Sequence, residues 1–554
     1  MVARQLGLVA ILIGTAMAFS LPWGMDLLGG EWAYERDGLM GLAGAMAVCF
    51  LVGAVLRRCG RRAEGQLFRR EAMAIVGLSW VMATALGGLP YLLSGTHRTA
   101  EHRMGVIDAM FEAQSGFSTT GATVLTDLED PSLVPRTILF WRSTTHFLGG
   151  LGIVVLFVAI LGQGSAGKAL MRAEMVGPSR ASPQARMQQT AWILCLVYFS
   201  LNALLAFMLW LLGLGAFDAL CHAFGTMATG GFSTYNASIG HFATVPGLNG
   251  LLIEMTIVLF MFIAGTSFIL LYLSAFRGPK RLFGDAEWRV YAGLLVGATL
   301  AVTAYGLYSG DFAEAEATAG ERTARPGSPP PAPGGIDATT AAAGEGVEPA
   351  TGRLPLGRAL RYSSFQVVSI MTTTGFVTTD TDRWHSFARG LLLVLMFIGG
   401  CAGSTGGGLK VIRYVLLVKI LGLEVERAFH PSVVRPLRLG DTVLEEQELR
   451  RTVPLYFAVI TLIFLVAWLF TITVEPDRTW TAAGLSPAHK LLDSASAVAA
   501  TLNNIGPGLG VVGAAQNYTH FSPPTKLLFT GLMMLGRLEV FVILALFSPR
   551  FWRR

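Results

Sequence analysis

The sequence predicts an all-α integral membrane protein in which four repeats surround a central pore. Each repeat is a span, a short helix closed by a glycine turn, and a second span; two further spans precede them. Two observations carry this expectation. The 554-residue chain is 53% hydrophobic and 14% charged, with a mean hydropathy of +0.54, and many of its apolar runs reach the roughly 20 residues that cross a bilayer as a helix. Four short segments also read as degenerate copies of one another: Asp108 to Gly121, Asp218 to Gly231, Tyr362 to Gly375 and Asp493 to Gly506. In each, the first residue and the closing glycine are thirteen positions apart, and a long apolar stretch follows.

Apolar spans fall near residues 5–28, 38–56, 71–94, 136–163, 190–214, 248–276, 288–309, 387–421, 452–474 and 525–548. The first two enclose no repeat segment; the other eight form four pairs, each enclosing one. Two readings fit the N-terminus, an uncleaved first helix and a signal peptide ending near Ala16-Met17-Ala18. The units are residues 1–60 (two leading helices), 61–165 (repeat 1), 166–280 (repeat 2), 281–422 (repeat 3) and 423–554 (a polar loop and repeat 4). Repeat 3 is lengthened by an Ala/Gly/Pro-rich insert at about 314–354, too poor in apolar residues to bury a core and expected to be a disordered external loop.

The formal charge of +6 is a matter of placement. Arg57 to Arg70, Lys168 to Arg186, Arg277 to Arg289 and Arg435 to Arg451 crowd alternate loops, whereas the loops between them are poor in Lys and Arg. That asymmetry predicts cytoplasmic basic loops and both termini inside, and it disfavours a nucleic-acid partner, because the clusters flank apolar spans. The charged stretch Glu424 to Arg451 suits a docking surface for a soluble partner, or equally a plain amphipathic loop. The five cysteines are scattered, and no dense metal-ligand or nucleophile–base cluster appears, so the chain is not expected to be an enzyme.

Non-helical backbone at membrane depth is tolerated only where protein buries it or water lines it. Four turns meeting on one axis satisfy that condition by lining a pore, with carbonyls replacing the water shell of a cation. Glycine permits the positive φ that such convergence requires, and Thr119, Thr120, Thr229, Thr373, Thr374, Asn503 and Asn504 add small polar groups. Each short helix would aim its partly negative C-terminal end at the pore. Asp108, Asp218 and Asp493 are expected to cap the opposite ends.

SGFSTTGAT, ATGGFST, MTTTGF and NNIGPGLG, together with FWRSTTHFLGGLGI and GGCAGSTGGGLKVIR, resemble the TrkH/KtrB family of potassium transport subunits, over essentially the whole chain from Leu6. The two leading spans point to the TrkH branch. The resemblance implies four M1–P–M2, potassium-channel-like repeats, K⁺ as the transported ion and a homodimer with one pore per protomer. It further implies a cytosolic nucleotide-binding regulatory subunit (TrkA-like) and a place in the bacterial inner membrane. The K⁺ filter residues it implies are Thr120, Gly121, Thr229, Gly230, Gly231, Thr374, Gly375, Asn504, Ile505 and Gly506. A Na⁺- or H⁺-coupled symporter is the alternative; it would need inverted repeats, whereas these four share one orientation.

Six glycines in the ten residues Gly399 to Gly408 interrupt an apolar span, and each disfavours helix by roughly 1 kcal/mol relative to Ala. Lys410 invites a phosphate-cradle reading, but the P-loop spacing is absent. A flexible intramembrane loop fits better, and this break is expected to follow the third copy alone. The resemblance implies that the loop is a gate, made of Gly399, Gly400, Gly403, Ser404, Thr405, Gly406, Gly407 and Gly408 with Lys410, the latter expected at the cytoplasmic side with Arg413. Arg537 and Glu539 stand mid-span, which costs at least about 2.5 kcal/mol by insertion scales unless they face protein or water. Arg537 reads either as a structural ion pair or as a charge below the filter; the resemblance favours the latter. Arg142 and His146 share a helix face that could brace the first repeat. Glu254 reads as a pore-entrance acid or a helix-capping acid.

Overall fold

A computed structural model describes residues 1–25, 31–61, 69–152, 187–310, 356–430, 438–439, 442–443, 446–538 and 540–553. The 314–354 insert, the stretch Lys168 to Arg186, the end of the span predicted over 136–163, much of the Glu424–Arg451 loop, and Glu539 therefore lie outside the described residues.

Two leading helices, α1 (Val2–Met17) and α2 (Trp32–Cys59), precede the repeats. They cross at small residues: a β-carbon on either Gly7 or Gly53 would stand 2.8 Å from the other's carbonyl oxygen, an approach that bare glycine permits between membrane helices. Repeat 1 comprises α3 (Arg69–Leu93), α4 (Val106–Phe117) and α5 (Arg136–Leu151). Repeat 2 comprises α6 (Met187–Leu211), α7 (Ala216–Met227), α8 (Gly250–Ala264) and α9 (Phe268–Arg277), followed by the one-turn α10 (Lys280–Gly284). Repeat 3 comprises α11 (Ala286–Ser309), α12 (Leu356–Met371), α13 (Ser386–Leu395) and α14 (Val411–Phe429). Repeat 4 comprises α15 (Glu446–Val474), α16 (Arg478–Ala482), α17 (Lys490–Leu502), α18 (Pro523–Arg537) and α19 (Val540–Phe547). Among the described residues the only strands form two small hairpins, His97–Thr99 with His102–Arg103 and Arg438–Leu439 with Thr442–Val443.

Burial sorts the helices by role. The short helices α4, α7, α12 and α17 are buried along most of their length. By contrast α2, α6 and α15 expose Leu51, Leu196, Leu211, Leu462 and Val466, apolar side chains that need lipid rather than water around them.

All ten predicted apolar stretches contain helix, but only six described helices are long and apolar enough to cross a membrane singly, or seven counting one bent pair. The shortfall comes from the inner helices, and it corrects the expectation of a single break. The second inner helix bends by 98° between α8 and α9. The third opens into the glycine loop between α13 and α14, and the fourth breaks at Leu538 between α18 and α19. The first inner helix, α5, ends at Leu151, before Gly152 with φ +81°.

The leading helices dock on repeat 1 through one buried carboxylate. Glu35 on α2 accepts the backbone N–H of Arg136 (2.6 Å) and of Thr137 (3.1 Å) and the Thr137 hydroxyl (2.8 Å). These are orphan donors at the start of α5, whose N-cap is Pro135 and offers no side-chain acceptor. Glu35→Ala should therefore lower stability by about 2–4 kcal/mol, read as a fall in the thermal unfolding midpoint of detergent-purified protein.

Candidate functional site

Each short helix ends in the same way. The N–H one residue before the closing glycine reaches back five residues, from Thr120 to Ser115, Gly230 to Gly225, Thr374 to Ser369 and Ile505 to Ala500. This is the outer bond of a Schellman cap, which demands a left-handed residue just past the helix. Here that residue is Thr119 (φ +53°), Thr229 (+55°), Thr373 (+58°) or Asn504 (+56°). Two positions on, Gly121, Gly231, Gly375 and Gly506 are left-handed again (φ +81°, +73°, +82°, +95°). Threonine is strained at positive φ, by about 1–3 kcal/mol, and four of the five such non-glycine residues among those described are these. The sequence singles out the glycines; the left-handed Thr or Asn two residues earlier goes unread, and its one signal is the recurrence of Thr, Thr, Thr and Asn at that offset.

The four turns close into a ring. A β-carbon on Gly121 would fall under 3.0 Å from Gly230 O, on Gly231 from Thr374 O, on Gly375 from Ile505 O, and on Gly506 from Thr120 O. Repeat 1 thus touches 2, 2 touches 3, 3 touches 4 and 4 returns to 1, always through the carbonyl preceding the next glycine. All ten sequence-predicted filter residues belong to these turns.

The ring is not uniform. Gly230 replaces the Thr or Ile of the other copies because the His146 imidazole fills that space: a β-carbon there would lie 2.6 Å from its ring. His146 also stacks on Phe232 at 4.0 Å. Arg142 pairs with Glu112 (2.7 Å), donates to Ser233 O (2.9 Å) and lies 3.4 Å over the Phe232 ring. These two residues therefore brace repeat 1 against repeat 2. In the fourth copy the buried Tyr518 hydroxyl donates to Gly506 O (2.8 Å), and Asn504 Nδ2 donates to Thr120 Oγ1 (3.0 Å).

Polar groups on the short helices hold the strand that leaves each turn. Glu112 accepts from Thr123 Oγ1 and the Val124 N–H, Asp218 from Thr234 and Tyr235, Asp493 from the Val511 N–H, and Ser369 donates to Phe376 O. This corrects the reading of Asp108, Asp218 and Asp493 as capping residues. They lie in the first turn, after Gly105, Gly215 and His489 as N-caps. There they still complement the helix dipole, but their hydrogen bonds go elsewhere, Asp108 to Lys526 at 2.7 Å. Glu254 is neither entrance acid nor cap: Arg361 on α12 grips it with two bonds, 2.6 and 2.7 Å.

Beneath the ring lies the glycine loop. The Gly407 N–H donates to Thr373 Oγ1 (2.7 Å), and Gly407 and Gly408 pack against Asn503 and Asn504. Arg537 donates to Thr405 O of the loop and to Gly149 O (2.6 Å) and Gly150 O (3.2 Å) at the end of α5. It thus bonds to backbone carbonyls of two other repeats, which supply acceptors for its mid-span charge. Lys410, expected at the cytoplasmic side, is buried and donates to Ser404 Oγ (3.2 Å) and to Gly406 O. Arg413 is buried too, 3.5 Å over the Tyr456 ring. In low-dielectric surroundings a carbonyl and a ring face are favourable partners for these two charges. The loop, Arg537, Lys410 and the end of α5 line a cavity of about 100 Å³.

A family model described as TrkH, a cation transport protein, matches residues 40–290 and 340–554. The chain belongs to the TrkH family. It is 36% identical over 560 residues to the Trk system potassium uptake protein TrkH of Escherichia coli K12, covering all of this chain and 99% of that one. The Vibrio parahaemolyticus protein of the same name is 35% identical over 515 residues, 91% of each chain. The crystal structure of the potassium transporter TrkH from Vibrio parahaemolyticus superposes with a TM-score of 0.76 at 32% identity, covering 100% of this chain and 99% of that one. The all-α, multi-pass membrane fold of this family member is thereby established.

Gly230→Ala should destabilise the protein, whereas adding His146→Ala should recover most of the loss, since the second change vacates the space that the new methyl needs; thermal midpoints of the two single variants and the double variant measure this. Outside the spans, Asp382 Oδ1 accepts the Gly510 N–H (2.8 Å) and so ties the third exit loop to the fourth. Burial, aided by Asp380, pushes its carboxyl up to about 7, against the opposing pull of the Gly510 N–H and Arg389. An unfolded Asp titrates near 3.9, so this site favours the folded state in acid and loses that contribution as pH rises through about 7. Asp382→Asn should flatten that part of the change in melting midpoint between pH 5 and 8.

Proposed function

We propose that the chain carries K⁺ into the cell through the ring of glycine turns, gated by the glycine loop and Arg537. The observation that carries this reading is the cyclic order in which each glycine meets the carbonyl before the next. Such a ring supplies backbone oxygens from four sides, the chemistry that replaces the water shell of a monovalent cation. The potassium-uptake names of the relatives support K⁺ as the ion. Oxygen ligands come from Thr120, Gly121, Thr229, Gly230, Gly231, Thr374, Gly375, Asn504, Ile505 and Gly506. The short helices end at the ring, and their partly negative C-termini favour a cation there.

The gate is closed when residues 399–408 stand under the ring, held by Lys410 within the loop and by Arg537 across it. Arg537 also sets a positive charge in the path below the ring, which opposes a cation until the loop moves. The relatives are named as parts of a Trk system, which supports a further subunit; a cytosolic, nucleotide-binding, TrkA-like protein acting on the loop completes this reading. With it go a homodimer with one pathway per protomer and a place in the inner membrane.

The test is ⁸⁶Rb⁺ uptake into proteoliposomes. Wild-type protein should give saturable uptake, and Gly375→Ser should reduce it at least about tenfold, since its side chain would displace the Ile505 carbonyl. Arg537→Ala should raise basal uptake roughly tenfold, because several charge-assisted bonds holding the loop are lost. Uptake by wild-type protein no greater than by protein-free vesicles would refute the pathway.

A further inference from the structure

The glycine loop has a further attachment, made by a residue that neither lines the ring nor belongs to the loop. Glu287 lies in the first turn of α11, two residues after Asp285, which caps that helix by accepting the Trp288 N–H (2.9 Å). One oxygen of the Glu287 carboxylate, Oε1, accepts both the Ala402 N–H (2.7 Å) and the Ile412 N–H (3.1 Å). Ala402 lies within the loop, and Ile412 is the second residue of α14. A single half-buried side chain therefore holds together two points ten residues apart in sequence, between which every gating residue from Gly403 to Lys410 lies.

The chemistry suits a releasable pin. Lys410, the residue before α14, provides no side-chain cap, so the first N–H groups of that helix require an acceptor from elsewhere. A carboxylate there accepts charge-assisted bonds and faces the positive end of the helix dipole. The partner at Ala402 is a free loop N–H with no helix to return to.

The other side of the loop is stitched to the break in the second inner helix. The Cys401 N–H donates to Gly265 O (2.8 Å), the Thr405 N–H to Ala264 O (3.3 Å), and the Phe268 N–H to Gly403 O (3.0 Å). All these attachments sit on one stretch of chain, Ala264 to Glu287, which includes the short basic linker with Lys280 and Arg281.

We propose that Glu287 is the positioning residue of the gate, its carboxylate pinning the glycine loop at Ala402 and the start of α14 at Ile412 to the start of α11, so that the loop stays beneath the ring. The proposal rests on the permeation reading above. Glu287→Ala should raise the basal initial rate of ⁸⁶Rb⁺ uptake by the full chain in proteoliposomes about tenfold. Glu287→Gln, which keeps a neutral acceptor, should raise it only about threefold. The half-saturating Rb⁺ concentration and the Rb⁺/Na⁺ preference should not change, because the ring is untouched; a general loss of packing would move both. Hydrogen exchange across residues 399–412 should quicken in both variants, in the same order, and this readout serves even where Glu287→Ala reconstitutes poorly.

The arms separate the possible failures. Wild-type uptake by Glu287→Ala, in vesicles where Gly375→Ser reduces uptake as expected, overturns the pin and leaves the pathway standing. Faster exchange confined to residues 413–429 with unchanged uptake reduces Glu287 to a helix cap and likewise overturns it. If Gly375→Ser fails to suppress the raised uptake of Glu287→Ala, the ions bypass the ring and the permeation reading itself falls.

Discussion

Four pieces of non-helical backbone must lie side by side at a depth where no bulk water can satisfy them, and the rest of the molecule is organised around that demand. Each turn is held from behind by its Schellman cap, from the side by the next repeat, and from above by a polar group of its own short helix. The strained Thr119, Thr229 and Thr373 are tolerable only because these restraints act together. No single repeat carries all of them, which is why the turns are a property of the closed ring and not of any one copy.

A second theme is the carboxylate that caps a helix belonging to another part of the chain. Glu35 on α2 satisfies the start of α5, Glu475 accepts the Ser522 N–H at the start of α18, and Glu287 serves the start of α14. Three inner-helix segments are thus terminated by acids from neighbouring segments. Such bonds are strong in low dielectric and costly to leave unmade, so they fix the depth of the inner helices without adding any group to the ring itself.

This arrangement explains what could be read from the sequence. The glycines, the four-fold repeat and the glycine-rich loop were legible because composition and spacing carry them directly. The breaks after Ala264 and Arg537 were not, since a hydropathy window averages across one glycine or one arginine without registering that the helix stops. The left-handed threonines ran against their own propensity. Glu35 and Glu287 find their partners more than a hundred residues away, a separation at which no local pattern marks an acid as a cap. Lys410 and Arg413 were read as cytoplasmic because basic residues near a span end usually are; what the sequence left unread is their partners, the carbonyl of Gly406 and the face of Tyr456.

The contact between Asn504 and Thr120 joins residues 384 positions apart. At synthesis rates of about 5–20 residues per second, the first turn waits roughly 20–80 s for its last neighbour. Until then the early segments rely on the contacts they bring with them, the Glu112–Arg142 pair and the Glu35 cap among them. The ring is completed by its fourth repeat, after the other three have been made.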